Sequence, residues 1–248
     1  MKTLVCIDDT DNLESRGTGK LAQLMIEHIE ENNIGKCSDI SRHQLYVHKD
    51  IPYTSHNSSM CFIVESEEDI TEYLKSFGSE FLVRESAEGS DPGFCIAPLD
   101  KIKDIKELIA YGKRAKKEVL NKKIAYETAE KLGIHLSEHG GTGQGVVGAL
   151  AGIGLRLSGN DGRIKGKIVF NTRDGFLTVK EILASSNIDL VEGINGEKID
   201  ESENIKLGEK VKAVLLHNKK VLLVYRFYDE LAKQFVWRSL EKEQYKRY

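Results

Sequence analysis

Four cysteines, Cys6, Cys37, Cys61 and Cys95, stand far apart with no CxxC pair among them. That spacing argues against a local zinc site and against a disulfide framework. Three of the four sit inside apolar, strand-like runs and read as reduced core residues, so a cytoplasmic location is expected. Charge of one sign is also missing. A net charge of −3 imposes no global field that would force a nucleic-acid or membrane reading. No apolar run approaches membrane-spanning length, and the opening Met1-Lys2-Thr3 followed by a strand is not a signal peptide. Internal repeats and low-complexity tracts are absent as well. The chain does have 248 residues, of which 40% are hydrophobic, enough for one large domain or two small ones.

One stretch organises the rest. Leu4-Val5-Cys6-Ile7 runs straight into Asp8-Asp9-Thr10-Asp11, and a short polar loop then brings Arg16-Gly17-Thr18-Gly19-Lys20. Leu21, Leu24, Met25 and Ile29 recur at helical spacing after it. The pattern predicts a buried strand, a charged loop at its carboxyl end, and an amphipathic helix over residues 19–31. Asp8, Asp9 and Asp11 are hard oxygen donors crowded enough to call for a cation, and Mg²⁺ is commonly held by one or two carboxylates plus substrate phosphates. Thr10 and Thr18 add hydroxyls, and Gly17 and Gly19 let backbone amides approach an anion at a helix start. Lys20 and Arg16 can neutralise phosphate oxygens. The spacing is not GxxxxGK[ST]. Aspartates after a strand also serve as ordinary turn formers and helix caps, and that alternative stands beside the first.

Farther along, a strand is expected over residues 40–47, a polar loop over 50–59, and a central strand at Met60-Cys61-Phe62-Ile63-Val64. A helix is expected to start at Ser66-Glu67-Glu68-Asp69 and to reach Phe77. Ser90-Asp91-Pro92-Gly93 reads as a turn before the strand Phe94-Cys95-Ile96-Ala97. These elements suggest a ferredoxin-like or related α/β layer. Residues 101–123 carry nine basic side chains with Tyr111 alone among them for aromatic interleaving. A solvated helix face or an RNA-facing one would both look like this.

A second glycine-rich stretch runs His139-Gly140-Gly141-Thr142-Gly143-Gln144-Gly145 and on through Gly148, Gly152 and Gly154. Its front half suits a loop whose amides meet an anion, and its back half a tightly packed buried helix. Close helix–sheet packing explains Gly148, Gly152 and Gly154 equally well. Beyond lie a strand-like run over 164–170, a polar connector over 184–204, and a hairpin in which His217-Asn218-Lys219-Lys220 makes the turn. The tail, with Trp237, Arg238, Lys242, Tyr245, Lys246, Arg247 and Tyr248, mixes aromatic and basic groups that could touch nucleic acid, and it reads first as a surface helix.

Ile7-Asp8-Asp9-Thr10-Asp11 with Arg16-Gly17-Thr18 resembles the opening of the archaeal agmatinylcytidine synthetases (TiaS), which use ATP to attach agmatine to an anticodon cytidine of an isoleucine tRNA. Ile51-Pro52-Tyr53-Thr54-Ser55-His56-Asn57 is similar to that family's Pro-x-Lys-Thr-Arg-Gly-Asn segment, Asp91-Pro92-Gly93 to its Asn/Asp-Pro-Gly turn, and residues 145–154 to its glycine-alanine helix. The likeness spans residues 3 to 172. It implies an α/β (α+β) fold, with a kinase-like nucleotide-binding domain, a ferredoxin-like domain, and here a small C-terminal β-hairpin/helix extension. The domain reading is 1–183 for the TiaS-like region, 184–204 for a connector and 205–248 for the extension. In the family the aspartates hold Mg²⁺-ATP and a threonine takes up phosphate. An ungapped count puts that threonine at Thr18, whereas aligning on the Arg-Gly pair puts Lys20 there. The family's carboxyl half carries an oligonucleotide-binding fold and a cysteine zinc ribbon that grip tRNA, and these four cysteines are not spaced to build such a ribbon.

The expectation is therefore an ATP- and Mg²⁺-dependent enzyme that transfers phosphate or ligates a small amine, with the acceptor open. Asp8, Asp9 and Asp11 are the metal and catalytic candidates, with Thr18 as phosphoacceptor or phosphate contact. Thr10, Gly17, Gly19, Lys20, Gly140, Gly141, Thr142, Gly143 and Gly145 are the nucleotide-binding candidates. His56 or His139 could serve as acid or base. The expected partner is a nucleotide, with a small amine and RNA as open candidates, the full tRNA-binding modules of the family being absent, and with no membrane. The rivals are an RNA-binding module without turnover and an ATP-sensing regulatory protein.

Overall fold

The computed structural model describes residues 1–51, 56–230 and 233–248, without the side chains of residues 246 and 247. The chain divides into two compact units, Met1–Ser158 and Gly159–Tyr248. No helix among the described residues is long and apolar enough to cross a membrane.

In the first unit the elements run β1 (Lys2–Asp8), α1 (Thr18–Glu31), β2 (Lys36–Cys37), β3 (Ser41–Gln44), β4 (Ser58–Glu65), α2 (Thr71–Glu85), β5 (Gly93–Pro98), α3 (Ile105–Arg114), α4 (Lys122–Leu132), β6 (His135–Glu138) and α5 (Gly145–Leu157). The sheet order is β6-β5-β1-β4-β3, with β2 also on β4. Every pairing in it is antiparallel. β1 is buried, as the opening pattern predicts, and stands in the middle of that order with β4, the expected central strand, beside it; its register sets Cys6 opposite both Cys61 and Cys95.

Alternation along β1 explains why its run is apolar throughout. Leu4 and Cys6 face a core shared with α3, α4 and α5. Val5 and Ile7 face a second core shared with α1 and α2. Helices thus cover both faces of an antiparallel sheet, and the continuous hydrophobic strands follow from that burial rather than from parallel pairing.

Local chemistry sets the helix ends. α3 starts where Asp104 accepts the Glu107 N–H at 3.0 Å, and α4 where Asn121 accepts that of Ile124 at 3.0 Å. α2 begins at Thr71 and runs to Glu85, later than Ser66 and longer than expected. Ser66 is engaged elsewhere, its hydroxyl donating to the Glu68 carbonyl at 2.7 Å. Asp69 instead accepts from the Thr71 N–H at 2.9 Å and pairs with Lys101. The 101–123 segment breaks between α3 and α4, and much of its charge is paired. Arg114 meets Glu118 at 2.9 Å, Lys123 meets Glu127 at 3.8 Å, and Lys101 and Lys122 meet Asp69 and Glu138.

The second unit runs β7 (Arg163–Ile164), β8 (Phe176–Thr178), α6 (Val179–Ser185), β9 (Leu190–Gly193), β10 (Asn204–Lys206), β11 (Val214–Leu216), β12 (Lys219–Asp229) and β13 (Gln234–Ser239). The strands order as β7-β11-β12-β13-β10-β8, with β9 parallel to β12. Residues 184–204 hold the end of α6, all of β9 and the first residue of β10. The expected hairpin is present, and its two turn residues, His217 and Asn218, have φ of 54° and 57°, as a two-residue turn of this hand requires. The 164–170 run is strand only at its start, with a single bridge from Ile168 to Val211. The tail is not a surface helix where Trp237 and Arg238 lie. They sit on β13, held by its ladder with β12.

Candidate functional site

At the carboxyl end of β1 the first unit has a cavity of about 390 Å³. Asp8, Asp9, Asp11 and Thr18 line it, together with Gln144, Gly145, Val147 and Gly148 from the start of α5. Leu45, Ala115, Val119 and Leu120 add apolar wall, and Asp50, His56 and Glu118 add polar groups. The opening motif and the helical half of the second glycine-rich stretch therefore meet at one place, although about 130 residues separate them along the chain.

Asp8 is the last residue of β1 and is buried. Burial first, and the charges of Asp9 and Asp11 next, push its carboxyl well above the usual range, against the pull of the Asp9 N–H and of Arg42. Asp9 has φ of 51°, a left-handed conformation that turns the chain away from the strand. Burial, then the charges of Asp91 and Asp11, raise its carboxyl to about 6. Asp11 accepts the Thr18 hydroxyl at 3.0 Å. Gly17, at φ of 83°, caps α1 just before that threonine. Among the described residues no cluster of three or more His, Cys, Asp or Glu side chains has ready-made metal-ligating geometry. The donor chemistry nonetheless suits a hard cation, because crowded, partly desolvated carboxylates are relieved by positive charge.

The other candidates fall around this centre unevenly. Gly145 lines the cavity, but its N–H already donates to the Asp91 carbonyl at 3.1 Å. Gly140, Gly141, Thr142 and Gly143 form the loop just before α5, outside the lining, and Thr142 is bonded to Asp91 by its N–H and by its hydroxyl at 2.6 Å. Thr10 is buried, with its hydroxyl oxygen unpartnered and outside the lining. Lys20 is exposed and approaches Glu27 at 3.8 Å, and Arg16 pairs with Glu85 at 2.5 Å. Gly19 is the second residue of α1. His139 hydrogen-bonds Ser137 at 2.8 Å, away from the lining, whereas His56 lines the cavity. Of the middle-loop motif, Pro52, Tyr53, Thr54 and Ser55 lie outside the described residues.

Three participants escaped the sequence reading. Arg42, on β3, donates from Nε to Ser58 Oγ at 2.8 Å and lies within electrostatic range of Asp8 and Asp11. Burial lowers its pKa, and the two carboxylates act in the opposite direction. Nothing local marks this arginine. Asp91 had a signal, its Asp-Pro-Gly turn, but that says nothing of the glycine loop it grips. Gly148 was legible only as a packing residue. It lies so close to Asp8 that an added β-carbon would overlap the carboxylate.

No protein-family model matches the chain, and no curated protein matches it. Solved structures do. A complex of TiaS with an isoleucine tRNA and ATP is 28% identical with a TM-score of 0.54, covering 62% of this chain and 36% of that one. A tRNA fluorescent labeling enzyme is 28% identical with a TM-score of 0.53, over the same shares. A complex of TiaS with the isoleucine tRNA, AMPCPP and agmatine covers 82% of this chain and 50% of its own at 22% identity and a TM-score of 0.53, a likeness of fold. This chain spans about a third to a half of the length of these proteins. In structure, the chain is a neighbour of TiaS, the agmatidine synthetase of an isoleucine tRNA.

Proposed function

We propose that the first unit binds Mg²⁺-ATP and transfers its phosphoryl group, as one step in attaching a small amine to an RNA or other acceptor. One observation carries the reading: three carboxylates and the Thr18 hydroxyl converge on a single cavity at the end of the central strand. Asp8, Asp9 and Asp11 would hold the cation, which when bound neutralises charge on phosphate oxygens.

The chain's own groups supply the rest. Asp11 accepts the Thr18 hydroxyl at 3.0 Å, which suits it to take that proton as Thr18 Oγ1 attacks phosphorus and the bond to the departing nucleoside diphosphate breaks. Thr18 fits this role better than Lys20, which is exposed and reaches toward Glu27. Asp50, with Leu45 and Val119 as apolar wall near it, suits an amine with a hydrocarbon body, whereas Glu118 on the same lining is already paired with Arg114. The likeness to TiaS in complex with an isoleucine tRNA and ATP supports the nucleotide and RNA parts of the reading. The free, directly opposed thiols of Cys6 and Cys61 suit a reducing, cytoplasmic setting.

RNA contact draws separate support from the second unit. On one face of the β12–β13 pair Arg226 stacks over Trp237 at 4.6 Å, and the exposed Tyr228 and Phe235 sit edge to face at 5.3 Å, whereas Arg238, over Phe227 on the other face, is paired with Glu241. Cations interleaved with aromatic faces can stack bases and meet phosphates.

The test is thermal unfolding with and without Mg²⁺-ATP. Ligand at about a hundred times its Kd adds roughly 2.7 kcal/mol. A shift that requires Mg²⁺ and disappears in Asp9→Asn supports the reading, and no shift in the native chain overturns it.

A further inference from the structure

The geometry points to Asp91 as a positioning residue, one that clamps the glycine loop 140–145 and thereby sets the wall of the nucleotide cavity. This inference rests on the Mg²⁺-ATP reading above and assigns a role within it.

Asp91 stands two residues before β5, yet three of its oxygens hold the distant loop. Its carboxylate accepts the Thr142 N–H on one oxygen and the Thr142 hydroxyl on the other, the latter at 2.6 Å. Its backbone carbonyl accepts the N–H of Gly145, the first residue of α5, at 3.1 Å. The next residue extends the seam, the Pro92 carbonyl accepting the His139 N–H at 2.9 Å. Gly141, at φ of 54°, passes so close that an added β-carbon would overlap the Asp91 carboxylate.

Lys122 closes the grip from the far side. Its ammonium donates to the Thr142 carbonyl at 2.7 Å and pairs with Glu138. Thr142 is thus held by its N–H, its hydroxyl and its carbonyl at once. Two ionised partners on one exposed loop residue exceed what a turn requires, and charge-assisted bonds are the strong ones. Directly after the clamp come Gln144, Gly145, Val147 and Gly148, which form one wall of the cavity. Fixing Thr142 therefore fixes where that wall stands against Asp8.

The experiment compares Asp91→Ala, Asp91→Asn and Thr142→Val with the native chain. Amide hydrogen exchange across residues 139–145, without ligand, reads the clamp directly. ATP KM and kcat read its use. Asp91→Ala is expected to speed exchange in the loop and to raise the ATP KM by roughly tenfold or more, with kcat changed less. Asp91→Asn keeps an oxygen that can accept the Thr142 N–H and should recover most of both. Thr142→Val, which removes only the hydroxyl bond, should fall between them and keeps the test open if Asp91→Ala does not fold. Unchanged loop exchange in Asp91→Ala and Thr142→Val overturns the clamp, whatever the ligand is. Faster exchange with an unchanged or lower ATP KM overturns the positioning role, the lower value marking Asp91 as a competitor for the loop's amides. A native chain that binds no ATP overturns the nucleotide reading and the positioning role together, while the exchange result still judges the clamp.

Discussion

Gly148 of α5 lies against the carboxylate of Asp8 at the end of β1, leaving no room for a β-carbon. The same helix meets Cys6 and Ser59 at Gly152, and the Leu108 carbonyl of α3 at Gly154. Small residues on α5 thus let it lie directly on the central strand, and its start becomes a wall of the cavity.

Gly148→Ala should therefore do two things at once. Overpacking of this kind typically costs about 1–3 kcal/mol. Because the atom displaced is the Asp8 carboxylate, Mg²⁺-ATP binding should fall further than that stability loss accounts for. Urea unfolding beside nucleotide titration checks the pair. Binding as tight as in the native chain would show that Asp8 is free to move aside.

Asp9→Asn should stabilise the unliganded protein at neutral pH while weakening the proposed Mg²⁺-ATP binding. Asn tolerates the left-handed φ of 51° as Asp does, so the backbone turn survives. The folded pKa of Asp9 is raised from 3.8 to about 6, so the native state binds the extra proton between those values. Native-chain stability contributed by this group is therefore greatest below about pH 4 and declines as pH rises through about 6. The loss is on the order of 1–2 kcal/mol once solvent screening of a half-buried group is allowed for. Unfolding free energies of native and variant chains across pH 4 to 7, without Mg²⁺, should converge at the acid end and diverge at the neutral end.

Thr18→Val removes the hydroxyl that donates to Asp11 at 3.0 Å, whereas Thr18→Ser keeps one. With Mg²⁺-ATP, peptide mass spectrometry should find a phosphoryl group on residue 18 in the native and Ser chains and none in the Val chain. The Val chain should lose about 0.5–1.5 kcal/mol of stability from the missing bond. Turnover by the Val variant at the native rate would leave Thr18 as a phosphate contact at most.

Arg226→Ala tests the RNA reading through the second unit. It strips the cation stacked on Trp237 at 4.6 Å while leaving the buried indole in place. RNA affinity measured over a range of salt concentration should weaken, with a salt slope smaller by about one phosphate contact. An unchanged slope would remove this strand pair from the interface.

Much of the fold was legible locally. The apolar run before Asp8 marks a buried strand because such a run is stable only with both faces covered, and Leu21, Met25 and Ile29 mark α1 by period alone. Asp104 and Asn121 cap α3 and α4 by chemistry confined to three residues, a signal that the basic character of residues 101–123 hid. The start of α2 was misread because Ser66, a good cap by type, makes its bond to the Glu68 carbonyl instead. β13 was misread because a tail rich in mixed charge and aromatics carries no clear period of its own. Its partner, β12, decides it.

What the amino-acid sequence determined by itself was the chemistry available: three carboxylates within four residues, a threonine seven positions after the last of them, and a glycine-dense helix. Those are properties of neighbours along the chain. Only the tertiary structure decided that Gly148 closes on Asp8, that Arg42 from another strand stands near Asp8 and Asp11, and that Asp91 grips Thr142 fifty-one residues away. Burial then raises the Asp8 and Asp9 carboxyls, because desolvation belongs to the folded packing around a group and not to the group itself.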